Sequence, residues 1–382
     1  MRKLQKRICT FLFVLVLTGM TACSKAGEDL ILGMDGQEII ITKPMYEDIE
    51  KSVNVDEEED YDLPLDYLFY DNGAKVVENI AITDGEVTYS FAWDEIAEDT
   101  FWRNTRKIEI NDEEYIIDRI DVYTGGFEEE VDHSITDISY LTAEALHVEF
   151  GERSSGFELP GSEVEHVVWI FLDGFGYEQF QIASTEGLIP ILSNLGTFYP
   201  AYTIFPPKTS TVTAALLSGL DSTENGVWVS GIRNIEVPNI IEAITGAGME
   251  MLIVEGSSTP FNYPNAEITL SGDRDGNDST DDNVYTNAEA ALTADIPELF
   301  MVHFHGIDDV GHTYAPYSEE WEEKVAEVDE FVGKLIELLP EKTLVVIFPD
   351  HGMHRITGDS ELGNHGSLIL DDMGIYIILF EK

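Results

Sequence analysis

The sequence predicts an α/β protein in which a doubly wound, mostly parallel sheet follows a smaller N-terminal mixed α+β region. Five short, continuous apolar runs indicate the sheet, at residues 167–172, 251–254, 299–304, 343–348 and 375–380. Runs of this kind are typical of strands that are buried on both faces of a parallel sheet. Helical segments separate the runs, and this alternation of strand and helix indicates helices on both faces of the sheet.

The segments between these strands predict several helices, among them residues 239–245, 287–294 and 318–339. The Asp-rich segment 271–283 is interpreted as a solvated loop, because its glycine is misplaced for an EF-hand calcium loop.

The region before the sheet, residues 23–163, has a different pattern from the α/β domain predicted for residues 164–382. Residues 76–82 and 87–93 alternate in polarity around Asp84-Gly85, which predicts a β-hairpin. Residues 107–110 and 115–122 predict a second hairpin around Asn111-Asp112. We find no group of catalytic residues in this region and assign it no role.

The N-terminus predicts a signal peptide over residues 1–22. A basic start, MRKLQKR, precedes an apolar run at 8–20, which suits a signal sequence and is too short to span a bilayer. The small residues before Cys23 resemble the lipobox of bacterial lipoproteins, which implies acylation of that cysteine. We expect a protein outside the cytoplasm, anchored to a bacterial membrane by lipid on Cys23. An ordinary secretory signal is the alternative.

The strongly negative net charge excludes some classes of binding partner. The chain has 74 acidic residues against 21 Lys and Arg, a formal charge of −53. Because such a surface repels polyanions, we expect no binding to nucleic-acid polymers. An anionic substrate would need a strongly cationic site, such as one with bound metal ions.

Residues 205–226, FPPKTSTVTAALLSGLDSTENG, place hydroxyl groups at the start of a predicted helix. Two prolines precede the helix, and Gly219 ends it. Unpaired N–H groups and the helix dipole attract phosphate at such a terminus. A threonine that only caps the helix is the alternative.

Asp and His residues follow the predicted strands in the manner of metal ligands. They are Asp173 after the first run, Asp308 and His312 after the third, Asp350 and His351 after the fourth, and His365 before the last. Mixed imidazole and carboxylate ligands suit zinc, with manganese or iron as alternatives. Two such metals about 4 Å apart can clamp a phosphoryl group.

These motifs resemble, in order and spacing, the alkaline phosphatase superfamily, and within it the type I phosphodiesterase and nucleotide pyrophosphatase branch. The similarity extends from about residue 164 to the C-terminus. The matching segments are LDG (172–174), PPKT (206–209), LLSG (216–219), ENGV (224–227), DDVGH (308–312), DHGM (350–353) and NHG (364–366). The resemblance implies an alkaline phosphatase-like fold and two divalent metals, for which zinc is the first choice.

The resemblance also assigns the ligands. One metal would bind Asp308, His312 and His365. The other would bind Asp173, Asp350, His351 and the hydroxyl of Thr209. In the family the nucleophile lies nine residues before the threonine of an aliphatic-Thr-Gly turn, and counting back from Ser218 leads to Thr209.

Two further residues are expected to bind substrate. Ser230 occupies the position at which the branch commonly has an asparagine that binds a phosphate oxygen, and Lys208 adds positive charge beside Thr209. No segment resembles C-x-P-x-R or S-x-P-x-R, which disfavours a sulfatase.

We therefore expect a metal-dependent hydrolase of phosphodiester or pyrophosphate bonds in small substrates, nucleotides included, acting through a phosphothreonine intermediate. A phosphomonoesterase or phosphonate hydrolase of the same superfamily is the alternative. An alternative of another class is a catalytically silent binding lipoprotein at the cell surface.

Overall fold

The computed structural model describes residues 29–53, 62–159, 163–274, 276–277, 279–294, 296–356 and 362–382. The predicted signal peptide and Cys23 lie outside these residues. Among the described residues, no helix combines the length and apolar character that crossing a bilayer requires.

Residues 29–124 form what we call the N-terminal unit, whose described residues contain two sheets and two α-helices. Its strands are β1 (Leu30–Met34), β2 (Gln37–Ile41), β3 (Val77–Asp84), β4 (Val87–Ala92), β5 (Thr100–Asn104), β6 (Lys107–Ile110), β7 (Glu113–Ile116) and β8 (Arg119–Thr124). The five-stranded sheet has the order β2-β1-β8-β3-β4, and the three-stranded sheet has the order β5-β6-β7. Helices α1 (Lys43–Val53) and α2 (Asp66–Asp71) contribute buried side chains to the same apolar core.

The first predicted hairpin is confirmed, since β3 and β4 pair antiparallel around Asp84. The prediction of one strand over residues 115–122 is wrong. The chain leaves the three-stranded sheet after β7, and Asp118 N–H then donates to Thr83 O at 2.8 Å just before β8. Alternation in polarity is interrupted at the crossing, where Ile116 and Ile117 are both apolar and Asp118 and Arg119 are both charged, so the pattern does contain a sign that the sheet changes.

An eight-stranded sheet forms the larger part of the molecule. Its strands are β9 (His133–Ser134), β10 (His166–Leu172), β11 (Thr197–Tyr202), β12 (Met251–Glu255), β13 (Glu267–Leu270), β14 (Leu299–Phe304), β15 (Thr343–Phe348) and β18 (Gly374–Glu381), in the order β13-β12-β14-β10-β15-β18-β11-β9. A separate pair, β16 (His354–Arg355) and β17 (Gly363–Asn364), lies after β15 along the chain. The predicted α/β class with a mostly parallel sheet is confirmed.

Strand β18 departs from the prediction, because it pairs antiparallel with both β15 and β11. Its run Ile375, Tyr376, Ile377 and Ile378 is fully buried. A continuous apolar run records burial on both faces and contains no information on strand direction.

Helices cover both faces of the sheet. They are α3 (Asp137–Ala145), α4 (Tyr177–Glu186), α5 (Thr209–Ser218), α6 (Ser222–Asn225), α7 (Ile240–Gly246), α8 (Asp281–Leu292), α9 (Gly306–Tyr314), α10 (Glu319–Leu338) and α11 (Leu370–Met373). Trp169 and Phe171 of β10 face the core with α3, α5 and α7, whereas Ile170 and Leu172 face the core with α8 and α10.

The predicted helix bounds hold closely for α7 and α10. Asn239 and Ser318 cap them, accepting hydrogen bonds from Glu242 N–H at 3.1 Å and Trp321 N–H at 3.2 Å. Helix α8 begins at Asp281, inside the segment interpreted as a solvated loop, so that interpretation is wrong for its last residues. Asp281 and Asp282 lie in the first turn of α8, where the helix dipole favours carboxylates.

The segment between the two units packs on the large sheet. Ile138 and Leu141 of α3 are buried in the same core as Trp169, and Trp169 Nε1 donates to Thr142 Oγ1 at 2.9 Å. The domain boundary at residue 163 stays a prediction; this packing favours a boundary before β9.

Candidate active site

Strand register places the predicted ligands at one edge of the large sheet. In the parallel pairs around β10, Leu172 lies beside Phe304 and Phe171 beside Phe348. The residues that follow these strand ends, including Asp173 and Asp350, therefore leave the sheet at its carboxyl edge. This is the edge at which α/β sheets place their ligands.

The first ligand group consists of Asp308, His312 and His365. Asp308 Oδ2 lies 3.3 Å from His312 Nε2, and Asp308 Oδ1 lies 3.7 Å from His365 Nε2. Asp308 and His312 are four residues apart on α9, so they project from the same side of that helix. Gly174 permits this approach, because a Cβ atom there would lie 2.7 Å from Asp308 Oδ1.

The second group consists of Asp173, Asp350 and His351, with Thr209 beside it. His351 Nε2 lies 3.2 Å from Asp350 Oδ2 and 3.6 Å from Asp173 Oδ1. The Thr209 hydroxyl lies 3.4 Å from Asp173 Oδ1 and 3.5 Å from His351 Nε2. The two groups are adjacent, since the rings of His351 and His365 stack with centroids 3.7 Å apart.

Thr209 is the first residue of α5, as the helix-start pattern predicts. The turn before it is fixed by a neighbouring hydroxyl, because Thr211 Oγ1 donates to Pro206 O at 2.6 Å and Lys208 O at 2.8 Å. Gly219 ends the helix with φ of 67°. A side chain at Gly219 would also meet Tyr140, whose ring lies 2.6 Å from the position of a Cβ atom.

Backbone carbonyl groups orient all three histidines of the two groups. Nδ1 lies 2.9 Å from Gly363 O in His312, 3.0 Å from Gly352 O in His351, and 2.8 Å from Pro207 O in His365. A carbonyl only accepts, so each Nδ1 donates, and a neutral ring then directs its Nε2 lone pair at the carboxylates. Burial lowers the pKa of His351 and of His365 to about 4, which keeps both rings neutral at pH 7.

Two carboxylate oxygens in the groups are available to bind a cation. Asp308 Oδ1 and Asp350 Oδ2 are buried, and neither has a hydrogen-bond partner. Burial, together with the charges of Asp173 and Asp308, raises the pKa of Asp350 well above its usual range. Three imidazole nitrogens and three carboxylates fit two divalent metals, with zinc the best match to the donor set. The arrangement defines a candidate two-metal centre with a hydroxyl nucleophile.

Beyond the predicted ligands, the site includes Glu255, His303 and His305. His303 lies between Glu255 Oε1 and Asp173 Oδ2, with both N···O distances 3.1 Å. His305 lies 3.1 Å from Asp173 Oδ2 and 2.8 Å from Glu255 Oε2. Ligand atoms of Asp173, His303 and His305 are close enough to admit a cation. Both nitrogens of each ring face a carboxylate, unlike those of His351 or His365.

This arrangement fits two imidazolium rings that donate to Asp173 and Glu255. Burial opposes protonation, but the hydrogen bonds and charges of the two carboxylates raise the pKa of both His303 and His305. Burial likewise opposes ionisation of Asp173, and the hydrogen bonds from the two rings lower its pKa well below its usual range. His303 and His305 therefore fix the orientation of Asp173, with its Oδ2 toward these two histidines and its Oδ1 toward Thr209.

The sequence signal for this cluster was incomplete. His303 and His305 alternate around Phe304 at the end of β14, next to a ligand motif, which favours a role beside the metals. Glu255 is fully buried at the end of β12 and has no motif around it.

The two residues expected to bind substrate are placed differently. Lys208 precedes Thr209, and its side chain packs against Gly366, the residue after His365. A Cβ atom built on Gly366 would lie 3.0 Å from Lys208 Cε. Ser230 is exposed in a turn after α6. Among the described contacts, none links Ser230 to the ligand groups.

Comparison with known proteins agrees with this class of site. Residues 241–378 match the family model of type I phosphodiesterase / nucleotide pyrophosphatase. The matched region includes Asp308, His312, Asp350, His351 and His365, and it begins after Asp173 and Thr209.

Among curated proteins, the chain is similar to GPI ethanolamine phosphate transferase 3 of Saccharomyces cerevisiae, with 34% identity over 85 residues. It is also 28% identical over 140 residues to the catalytic subunit of the Homo sapiens enzyme of that name. These matches cover 22% and 35% of this chain, and only 8% and 13% of the respective relatives. Among solved structures, murine ectonucleotide pyrophosphatase / phosphodiesterase 5 aligns with a TM-score of 0.45 and 15% identity, over 56% of this chain and 87% of that one.

Proposed function

We propose that the protein is a two-metal phosphoester hydrolase that cleaves phosphodiester or pyrophosphate bonds of small substrates, nucleotides included. The main support is the position of the Thr209 hydroxyl, 3.4 Å from Asp173 and 3.5 Å from His351 at the start of α5. The hydroxyl lies beside the group that contains Asp173 and His351, and that group is next to the one that contains His365. A displacement by two metals requires a nucleophile in such a position.

One metal would bind Asp308, His312 and His365, and the other would bind Asp173, Asp350 and His351 together with Thr209. When bound, the metals would supply positive charge that lowers the pKa of the Thr209 hydroxyl and neutralises the phosphoryl oxygens and the leaving oxygen.

The reaction then follows from the chain's own groups. Thr209 Oγ1 gives its proton to solvent and forms a bond to phosphorus, while the bond to the leaving oxygen breaks on the opposite side and that oxygen takes a proton from solvent. Water hydrolyses the resulting phosphothreonine, which returns Thr209 and releases phosphate or a phosphomonoester. The N–H groups at the start of α5 are directed at the phosphoryl oxygens throughout.

The description of the matching family model supports diester and pyrophosphate substrates. A monoester or a phosphonate would use the same groups and stays the alternative. A silent binding protein is disfavoured by the two buried oxygens of Asp308 and Asp350, which lack partners without a cation.

Transfer to an alcohol is a second candidate, favoured by the curated relatives, which are ethanolamine phosphate transferases. A phosphothreonine can pass its phosphoryl group to a second hydroxyl in place of water, with no change in the first step. Hydrolysis in the presence of ethanolamine or glycerol would separate the two outcomes, since a transferase forms the new phosphoester.

The proposal is tested with zinc-loaded protein on bis-p-nitrophenyl phosphate and p-nitrophenyl phosphate. We expect faster turnover of the diester and loss of turnover in Thr209→Ala, with partial activity in Thr209→Ser. Thr185→Ala, which alters an exposed threonine of α4, is the matched control. Full activity in Thr209→Ala would refute the nucleophile, and a protein that binds no zinc and hydrolyses neither ester would refute the proposed function.

Three further expectations belong to this proposal. Lys208 and Ser230 would contact the phosphate oxygens, so Lys208→Ala and Ser230→Ala would raise KM. The protein would be anchored outside the cytoplasm by lipid on Cys23. Incorporation of labelled palmitate that is lost in Cys23→Ala would support the anchor.

A further inference from the structure

The N-terminal unit reaches the edge of the candidate centre. Glu98 lies in a 3₁₀ turn, Ala97–Asp99, just before β5. Its Oε1 accepts a hydrogen bond from Asn364 Nδ2, on the residue next to the ligand His365. The same oxygen lies 3.1 Å from His354 Nε2. A side chain of the first unit therefore contacts the loop that bears a metal ligand of the second.

His354 continues the connection inward. Its Nδ1 lies 2.8 Å from Oδ1 of Asp372, a fully buried carboxylate. Burial opposes protonation of His354, but Asp372 and Glu98 raise its pKa to about 10, so both ring nitrogens donate at neutral pH. The side chains of Glu98, His354 and Asp372 thus form a continuous, charge-assisted chain.

Asp372 ends the chain on the backbone of the ligand loop. Its Oδ2 accepts from the N–H groups of Gly366 and Ser367, both at 2.9 Å. Gly366 directly follows His365 and has φ of 129°, a conformation that favours glycine. On the other side of the loop, His365 Nδ1 bonds to Pro207 O at 2.8 Å. The loop is therefore fixed from both sides.

The N-terminal unit contacts the same loop at a second place. Asp66 Oδ1 accepts from Leu368 N–H at 2.8 Å, and Val77 N–H donates to Leu368 O at 2.8 Å. Leu368, Ile369 and Met373 are buried in the core of the N-terminal unit. Residues on both sides of Asp372 are thus built into that unit.

We propose that Glu98 of the N-terminal unit is a positioning residue for His365. It acts through Asn364 directly and through His354 and Asp372. This inference rests on the proposed function, because it concerns a ligand of the first metal. It gives the N-terminal unit a role in catalysis, namely to set the position of one metal ligand.

The test measures zinc affinity of the full chain by competition with a chromophoric chelator. We expect Glu98→Ala to reduce the affinity for one of the two zinc ions by about 10- to 100-fold, which is the range for residues that orient a metal ligand. Glu98→Gln should have a smaller effect, because its amide oxygen still accepts from Asn364 while the ion pair with His354 is lost. Glu95→Ala, an exposed acid three residues earlier, is the matched control.

A double-mutant cycle with His365→Ala separates positioning from a general loss of stability. If Glu98 acts through His365, Glu98→Ala should change zinc affinity less than twofold in the His365→Ala background. The inference would be overturned if Glu98→Ala bound zinc as tightly as the wild type. It would also be overturned if the reductions in zinc affinity caused by Glu98→Ala and His365→Ala multiplied in the double mutant. If Glu98→Ala fails to fold by circular dichroism, the same cycle with Glu98→Gln decides. A wild-type chain that binds no zinc and hydrolyses neither ester would refute the proposed function itself, and this inference with it.

Discussion

Asp66 allows a quantitative prediction about stability and pH. Its side chain is 2% exposed, and burial raises its pKa from 3.8 to about 7. Its Oδ1 accepts hydrogen bonds from Leu368 N–H at 2.8 Å and Trp93 Nε1 at 3.3 Å, which offset only part of the cost of burying the charge. The Asp66→Asn substitution removes the charge and retains an oxygen that can accept both bonds.

The sign and size follow from linkage. A carboxyl group whose pKa is higher in the folded state favours folding at low pH, and this contribution is lost as pH rises from 3.8 to about 7. A pKa rise of about three pH units corresponds to about 4 kcal/mol. We therefore expect the free energy of unfolding of Asp66→Asn, relative to wild type, to increase by about 4 kcal/mol between pH 4 and pH 8.

Urea unfolding followed by circular dichroism, at intervals across this pH range, measures the difference directly. Other titrating groups are common to both proteins and cancel. Asp84→Asn, at the exposed end of β3, is the control and should show no such trend. A difference between Asp66→Asn and wild type that stays constant from pH 4 to pH 8 would refute the reasoning.

Three other predictions concern the metals and the core. Asp308→Asn and Asp350→Asn should each reduce the zinc content from two ions to one by elemental analysis; retention of both ions would contradict the ligand assignment. Zinc affinity should fall as the pH decreases, first because Asp350, whose pKa is raised, gains a proton and then, below about pH 4, because His351 and His365 do; an affinity that stays constant from pH 7 to pH 4 would contradict the burial argument. Ile138→Ala should cost about 2–5 kcal/mol of stability in thermal or urea unfolding with kcat unchanged, whereas a loss of kcat at full stability would place α3 in the reaction.

The sequence was most informative where function fixes residue type and spacing. The predicted ligands follow strands whose apolar runs are unmistakable, and parallel strands end at a common edge, so their convergence could be expected from the chain alone. The start of α5 at Thr209 was likewise predictable, because two prolines and a later glycine limit the helix.

Other features depend on tertiary contacts that no local pattern records. The direction of β18 follows from its neighbours, not from its apolar run. Glu255 becomes important only because the ends of β12 and β14 are adjacent, which places it against His303 and His305. Glu98 is separated from Asn364 by 266 residues along the chain, so their contact could not be inferred from spacing.

The orientation of the three ligand histidines has a consequence for how this site can vary. Each imidazole is oriented by a main-chain carbonyl, which is present whatever side chain occupies that position. Substitutions around His312 and His351 can therefore change the shape and polarity of the candidate site while these two rings keep their direction. Asp173 differs, because its orientation depends on two particular side chains. Specificity can thus diverge readily around His312 and His351. The surroundings of Asp173 tolerate little change, and so do those of His365, because the side chains of Glu98 and Asp372 hold its loop.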